Sequence, residues 1–301
     1  MNLHLTGQKI FFWFMATRPK TLVASLVPVS VGVCLAVQQV GYENINILIA
    51  CLCYVFAFLV QVSTNFYNDY SDHVKGADKN RKLGPLRLAQ EGLIRGRSLR
   101  NASFYLLTLA FLIGLFIMES TDSNRILLFV GITSVVCALA YTGGPLPLAY
   151  NGLGDLFVII FFGLVAVLTT HYVLVISSSN WTPIWHIPLG IGFLINNLLV
   201  VNNYRDWESD KEVGKNTLVV LLGRKFGLIL YLLGIFISTI FCPLIDTSLQ
   251  KTAFLAPIGL FLTYRLKKAD SANDFKVVLA STSVIILVYG VITGWSILTK
   301  V

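Results

Sequence analysis

Nine apolar runs recur along this chain, at 22–40, 47–66, 101–118, 125–142, 155–176, 184–204, 226–245, 252–264 and 275–298. A helix crossing a bilayer needs about 20 mostly apolar residues, and most of these runs come close to that length. The eighth is the weakest. In hydrocarbon every backbone N–H and C=O must be satisfied within the protein. Unbroken runs of this length, without the alternation of a barrel strand, do that as helices. The expected fold is therefore all-α, a multi-span bundle of nine transmembrane helices with residues 1–301 as one domain. Charged residues make up 13% of the chain and hydrophobic ones 55%. A soluble domain carries about 25% charged residues, so the lipid bilayer is the expected solvent. Pro28 falls inside the first run, where neighbouring helices can satisfy the freed backbone.

The first run is too long for the core of a secretory signal, about 7–15 residues, and is read as a retained helix. The basic residues then orient the bundle, because Lys and Arg concentrate in cytoplasmic segments. With the N-terminus cytoplasmic, 20 of the 23 Lys and Arg residues fall on that side. Only Arg125, Lys251 and Lys300 fall on the other. This asymmetry accounts for the net charge of +8 without a nucleic-acid partner. Five cysteines lie within apolar runs and form no CxxC, so neither a disulfide framework nor a zinc site is expected.

The two long polar loops, 67–100 and 205–225, lie on the same side, and each opens where a helix reaches the cytoplasm. The first carries Asn65, Asn68, Asp69, Asp72 and Asp78. Its asparagines and first two aspartates are three or four residues apart, the spacing of one helical face. The second carries Asn202, Asp206 and Asp210 at steps of four. A solvated acidic loop explains one such cluster; it explains two less well, since both begin with asparagines inside apolar runs, where polar groups are costly and functional. Carboxylates and amide oxygens are hard ligands, and Mg²⁺ is held by one or two carboxylates together with substrate phosphates. Lys75, Lys79, Arg81, Lys82 and Arg87 surround the first cluster; Arg205, Lys211, Lys215, Arg224 and Lys225 accompany the second. Acids bunched with bases suit a metal-bridged polyphosphate, the cations taking the remaining phosphate oxygens. No GxxxxGK[ST] stretch occurs, so the expected ligand is a diphosphate on a lipophilic group rather than a nucleotide in a P-loop. Arg18 and Lys20 at the cytoplasmic end of the first helix read as interfacial anchors or substrate contacts. His171 and His186 read as structural, Asn196 and Asn197 as interhelical hydrogen-bonding groups.

Arg18-Pro-Lys-Thr-Leu22, Asn68-Asp-Tyr-Ser-Asp72, Lys75-Gly-Ala-Asp78, Gly84-Pro-Leu-Arg87, Asn151-Gly-Leu-Gly-Asp155 and Asn202-Asn-Tyr-Arg-Asp206 together resemble the UbiA superfamily of intramembrane aromatic prenyltransferases. The run Gly214-Lys-Asn-Thr-Leu-Val-Val220 is similar to the branch that makes demethylmenaquinone from 1,4-dihydroxy-2-naphthoate. The resemblance implies nine helices around a central cavity capped by the two Asp-rich loops, in the cytoplasmic membrane of a bacterium. It implies that Asp69, Asp72, Asp206 and Asp210 are catalytic and that, with Asn65, Asn68, Asp78 and Asn202, they bind Mg²⁺. The third aspartate of the first motif often stands four residues after the second; here Gly76 occupies that place and Asp78 follows, a shift this branch shares. Lys75, Arg81, Arg87, Arg205 and Lys215 are the expected diphosphate contacts. Arg18, Lys20, Tyr141 and Tyr204 are the expected acceptor contacts. The expected reaction transfers a polyprenyl group from its diphosphate to the naphthoate, with loss of CO₂ and diphosphate. A sister enzyme acting on 4-hydroxybenzoate is the nearest alternative. A secondary transporter is the alternative outside enzymes, but transporters place their sites near the bilayer midplane, whereas these acids stand at helix ends. Prenyl length and oligomeric state stay open at this level.

Overall fold

The computed structural model describes residues 2–78, 83–84, 87–123 and 125–300, with side chains from residue 8 onward. The described residues form helices and turns, with one isolated bridge between Asn151 and Asn216. We label the helices α1 (Asn2–Ala16), α2 (Val23–Val40), α3 (Ile47–Lys75), α4 (Gly96–Ser120), α5 (Ile126–Ala140), α6 (Gly154–Val175), α7 (His186–Arg205), α8 (Trp207–Glu212), α9 (Leu218–Leu222), α10 (Arg224–Ile245), α11 (Ala256–Lys268) and α12 (Ala272–Leu298).

Among the described residues seven helices are long and apolar enough to cross a membrane: α2, α3, α4, α6, α7, α10 and α12. The fourth and eighth apolar runs form shorter helices. α5 has 15 residues and ends at the Gly-rich turn after Tyr141. α11 has 13, because the chain before it takes a 3₁₀ path over Thr247–Leu255. α3 differs from expectation in the other direction. It continues nine residues past the apolar run, to Lys75, so that the first acidic motif is helical rather than looped. Asn46 caps its start, its side chain accepting the Ile49 N–H at 3.2 Å. Gly76 stops it in the left-handed conformation at φ 72°, which glycine adopts without Cβ strain. α1 was not anticipated.

The core is built where α2, α7, α10 and α12 meet, around Leu35, Ile191, Ile195, Tyr231 and Ile286, all buried. Outward faces are also apolar: Phe129, Val291, Trp295 and Phe254 are among many large exposed hydrophobics. So much uncovered apolar surface is foreign to a monomer in water and suits a lipid-facing wall. α7 is the most buried of the long helices, and glycines let α6 approach it closely. A Cβ on Gly163 would lie 2.5 Å from the Pro188 carbonyl oxygen, and one on Gly192 2.5 Å from that of Ile159. The contact falls in a π-helical stretch of α6, Ile159–Val165. The two asparagines of α7 link helices as expected. Asn196 Nδ2 donates to Asp155 Oδ1 at 3.0 Å, and Asn197 Nδ2 donates to the Tyr231 carbonyl at 3.1 Å. At the far end of the bundle His171 takes a Trp181 indole N–H on Nδ1 at 3.2 Å and meets Gln39 Oε1 through Nε2 at 2.9 Å.

Candidate active site

The last turns of α3 carry Asn65, Asn68, Asp69 and Asp72, all buried. Carboxylates there meet the negative end of the helix dipole, so they need cations, and the fold brings several. Arg87 Nη2 lies 3.6 Å from Asp72 Oδ2, and its Nε lies 3.1 Å from Asp78 Oδ1, the Gly76 turn having folded Asp78 back. Burial alone would lower the pKa of Arg87; Asp78 first, then Asp72, Asp69 and Asp206, overcome it and raise it. One guanidinium thus feels acids from both motifs. Conversely, the charges of Lys215, Arg87 and Arg18 all act on Asp72. The two acidic clusters, 134 residues apart between Asp72 and Asp206, face one another.

The turn after α5 ties them together. Thr142 Oγ1 donates to Asn68 Oδ1 at 2.7 Å. The Thr142 carbonyl accepts Ser71 Oγ at 3.0 Å and Lys75 Nζ at 2.6 Å. Tyr150 donates its hydroxyl to Asp72 Oδ1 at 3.0 Å, while Lys75 and Lys215 stand 4.3 and 5.6 Å from its ring centroid. The Tyr150 carbonyl accepts the Asn216 N–H at 3.1 Å, joining this turn to the loop after α8. Burial, then the charge of Asp72 and the hydrogen bond to it, pushes the Tyr150 phenol well above its usual range, so it remains a donor.

In the second cluster Asp206 N–H bonds the Asn202 carbonyl and Asp210 N–H the Asp206 carbonyl, at 2.9 and 2.8 Å. Helical spacing therefore persists across the α7–α8 junction, with Asn202 half-buried and Asp206 and Asp210 buried. Arg205 folds onto Asp206 in a two-pronged pair, Nε and Nη2 each at 2.8 Å. Lys215 Nζ lies 3.5 Å from Asp210 Oδ1.

The remaining expected residues divide. Arg18 has left-handed backbone, φ 54°, next to Thr17, whose carbonyl accepts Asn65 Nδ2 at 2.9 Å. Its charge reaches both Asp72 and Tyr141. Lys20 is exposed, and its carbonyl accepts Ser283 Oγ of α12. Tyr141 lines an apolar cavity of about 220 Å³ between α2, α3, α4, α5 and α6, with Val60, Phe56, Leu115 and Phe161 among its walls. Tyr204 is buried beside Phe275 with the Arg224 guanidinium 4.3 Å over its ring, and it is not among the residues lining that cavity. Arg81 lies outside the described residues, as do Lys79 and Lys82. Thr142 and Tyr150 were missed; Thr142 sits in the Gly- and Pro-rich stretch Tyr141-Thr-Gly-Gly-Pro-Leu-Pro147 that follows the fourth apolar run, and Tyr150 lies just beyond it.

Among the described residues no three His, Cys, Asp or Glu side chains gather into a ready-made metal cage. The donor set suits an ion that shares its shell with phosphate oxygens. Asp69 is buried with its Oδ1 bonded to no described partner, and such an oxygen is costly unless a ligand meets it. The site therefore fits Mg²⁺ carried with a diphosphate.

A family model described as the UbiA prenyltransferase family matches residues 25–293. The 1,4-dihydroxy-2-naphthoate octaprenyltransferase of Haemophilus influenzae is 32% identical, with 98% of each chain covered. The protein of that name in Escherichia coli is 37% identical over 70% of this chain and 68% of its own. In fold the chain is similar to a UbiA homolog from Archaeoglobus fulgidus, solved with DMAPP and Mg²⁺, at TM-score 0.61 and 17% identity, covering 96% of this chain and 99% of that one. It is also similar to a UbiA homolog from Aeropyrum pernix K1 at TM-score 0.66 and 16% identity, covering 90% and 96%.

Proposed function

As this chain belongs to the UbiA prenyltransferase family and is an integral membrane aromatic prenyltransferase, we propose that it moves a polyprenyl group from its diphosphate to 1,4-dihydroxy-2-naphthoate. The products are demethylmenaquinone in its reduced form, CO₂ and diphosphate. The observation that carries the acceptor is the similarity, along 98% of both chains, to a relative named for that reaction. Arg87 pairs with Asp72 and Asp78 of the first motif, and Lys215 pairs with Asp210 of the second while standing over Tyr150, which bonds Asp72; this clustering of cations with both motifs supports the donor.

Asp69, Asp72, Asp206 and Asp210 would hold Mg²⁺, with Asn65, Asn68, Asp78 and Asn202 beside them; the ion supplies Lewis-acid stabilisation of the departing diphosphate. Arg87, Lys75 and Lys215 meet the remaining phosphate oxygens, Arg81 and Arg205 adding to them. In the fold Arg87, Arg205, Lys215 and Lys75 rest on Asp72, Asp78, Asp206, Asp210 and the Thr142 carbonyl. As the C–O bond of the allylic diphosphate lengthens, its carbon gains cationic character, and the electron-rich ring carbon of the acceptor attacks. Tyr141 turns a ring toward that carbon, an interaction of about 0.5–2 kcal/mol. The apolar walls exclude water, which would otherwise capture the cation. Arg18 pairs with the acceptor carboxylate.

The nine apolar runs all span, the short α5 and α11 included, with the N-terminus and both acidic motifs cytoplasmic in a bacterial inner membrane. Purified protein in detergent, given one long prenyl diphosphate, Mg²⁺ and a choice of acceptors, tests the proposal. Turnover should favour 1,4-dihydroxy-2-naphthoate over 4-hydroxybenzoate, vanish with EDTA and return with Mg²⁺. Preference for 4-hydroxybenzoate would overturn the acceptor, and undiminished turnover in EDTA the metal.

A further inference from the structure

The cavity beneath the acidic motifs is apolar, and its polar groups are nearly all spent. Ser25, Thr64, Ser134, Thr169 and Thr170 line it, yet each hydroxyl donates to a carbonyl three or four residues earlier on its own helix. Two polar lining groups are not committed in this way. One is the Tyr141 hydroxyl. The other is Gln61, only 9% exposed, whose Oε1 is buried with no hydrogen-bond partner among the described residues. A buried amide oxygen left bare is costly, and water is a poor remedy against so apolar a wall. The position is also telling. Gln61 precedes Asn65 by one helical turn and Asp69 by two, so it faces the cavity on the flank of α3 that carries the acidic motif. Asn65 in turn holds the carbonyl of Thr17, next to Arg18.

We infer that Gln61 is a specificity residue whose amide oxygen accepts the hydroxyl of the aromatic acceptor that lies farthest from the reacting carbon. The inference rests on the proposed dihydroxynaphthoate reading and deepens it. With its carboxylate near Arg18, the acceptor is gripped at two points, and the ring between them lies against apolar walls. In 1,4-dihydroxy-2-naphthoate the 1-hydroxyl is ortho to the carboxylate-bearing carbon and activates it. The 4-hydroxyl is meta to that carbon, so its loss is felt mainly in binding. A pocket built around a hydroxyl rejects the analogue lacking it, because the pocket's own polar group is then buried unpaired.

The test compares 1,4-dihydroxy-2-naphthoate with 1-hydroxy-2-naphthoate as acceptors for the full chain in detergent, with one long prenyl diphosphate and Mg²⁺. The wild type should favour the dihydroxy acid in kcat/KM, and Gln61→Met, close in shape, should shrink that preference about 10- to 100-fold, the range of one buried hydrogen bond. The KM for the prenyl diphosphate should stay put. Differences in intrinsic ring reactivity cancel in the ratio between variant and wild type. If the methionine variant does not fold, Gln61→Asn, which withdraws the amide by one methylene, should shrink the ratio in the same direction. A preference unchanged in the folded variant, with rates falling equally for both acceptors, overturns the assignment of Gln61 alone. Failure of the wild type to use the dihydroxy acid overturns the acceptor reading itself, and this assignment with it.

Discussion

Replacing Tyr150 by phenylalanine removes one hydroxyl and nothing else. That hydroxyl donates to Asp72 Oδ1 at 3.0 Å, while the ring keeps Lys75 at 4.3 Å. Asp72 is 3% exposed, and among the described residues its other oxygen has the longer contact to Arg87 at 3.6 Å. A hydrogen bond to a charged group contributes about 1.5–3 kcal/mol. Partners that orient a metal-binding carboxylate typically carry about 10- to 100-fold in metal affinity or activity. Tyr150→Phe should therefore raise the Mg²⁺ concentration for half-maximal turnover by about tenfold or more and leave the KM for the acceptor alone. Tyr150→Leu also removes the surface over which Lys75 and Lys215 stand, each contact worth about 0.5–1 kcal/mol. It should therefore weaken prenyl diphosphate binding beyond the phenylalanine variant. Mg²⁺ titrations of initial rate at saturating acceptor, repeated at several prenyl diphosphate concentrations, read both effects. A wild-type Mg²⁺ dependence in Tyr150→Phe would refute the idea that this hydroxyl sets Asp72 for the ion. Identical behaviour of the two variants would refute a role for the ring.

Asp→Asn at Asp69, Asp72, Asp206 or Asp210 should cut turnover by orders of magnitude while the protein still inserts and folds; wild-type rates in two of the four would sink the metal-site reading. Gly163→Ala should lower the thermal unfolding temperature in detergent, because its methyl would meet the Pro188 carbonyl oxygen at 2.5 Å and overpacking costs about 1–3 kcal/mol; an unchanged transition would show that α6 and α7 can part freely. Burial raises the pKa of Asp246, but hydrogen bonds first from Lys300 and then from Ser248 bring it down to about 2. Its folded value is thus depressed, so its contribution is present above the ordinary carboxylate range and is lost as pH falls toward about 2. Wild type should lose more stability than Asp246→Asn over that interval, measured by thermal unfolding, and equal losses would contradict the pairing. Arg18→Ala should raise the acceptor KM with little change in that of the prenyl diphosphate, and Lys20→Ala should move neither; a shift only in the latter variant would exchange their roles. In single-cysteine labelling from outside intact cells, a probe at Asn44 should react and one at Glu212 should not, and the opposite pattern would invert the bundle.

What the sequence made legible is what is local. Steps of three and four put Asn65, Asp69 and Asp72 on one face only if the segment is helical, and the structure makes it so because α3 runs on until Gly76. The boundary was misplaced at Phe66, since hydropathy falls there while helical hydrogen bonding does not. The fourth and eighth runs show the converse: α5 and α11 are apolar but stop at 15 and 13 residues, where a Gly-rich turn and a 3₁₀ segment take over the backbone. α1 lay hidden because its apolar residues sit within a stretch read only for its charges. Contacts across long separations left no trace in one sequence. Thr142 and Asn68 are 74 residues apart and Tyr150 and Asp72 are 78, and nothing in the stretch from Tyr141 to Tyr150 announces which residues of the acidic motif it will meet. Arg205 makes the same point from the other side. Its position among acids suggested a phosphate contact, and in the fold it lies flat on Asp206 with both prongs engaged. In the proposed site the carboxylates would hold Mg²⁺ and the cations the phosphate oxygens, so each half is met only when donor and metal are both bound. The prenyl diphosphate should therefore bind more tightly with Mg²⁺ than in EDTA, and equal affinity in a direct binding assay would count against the proposed site.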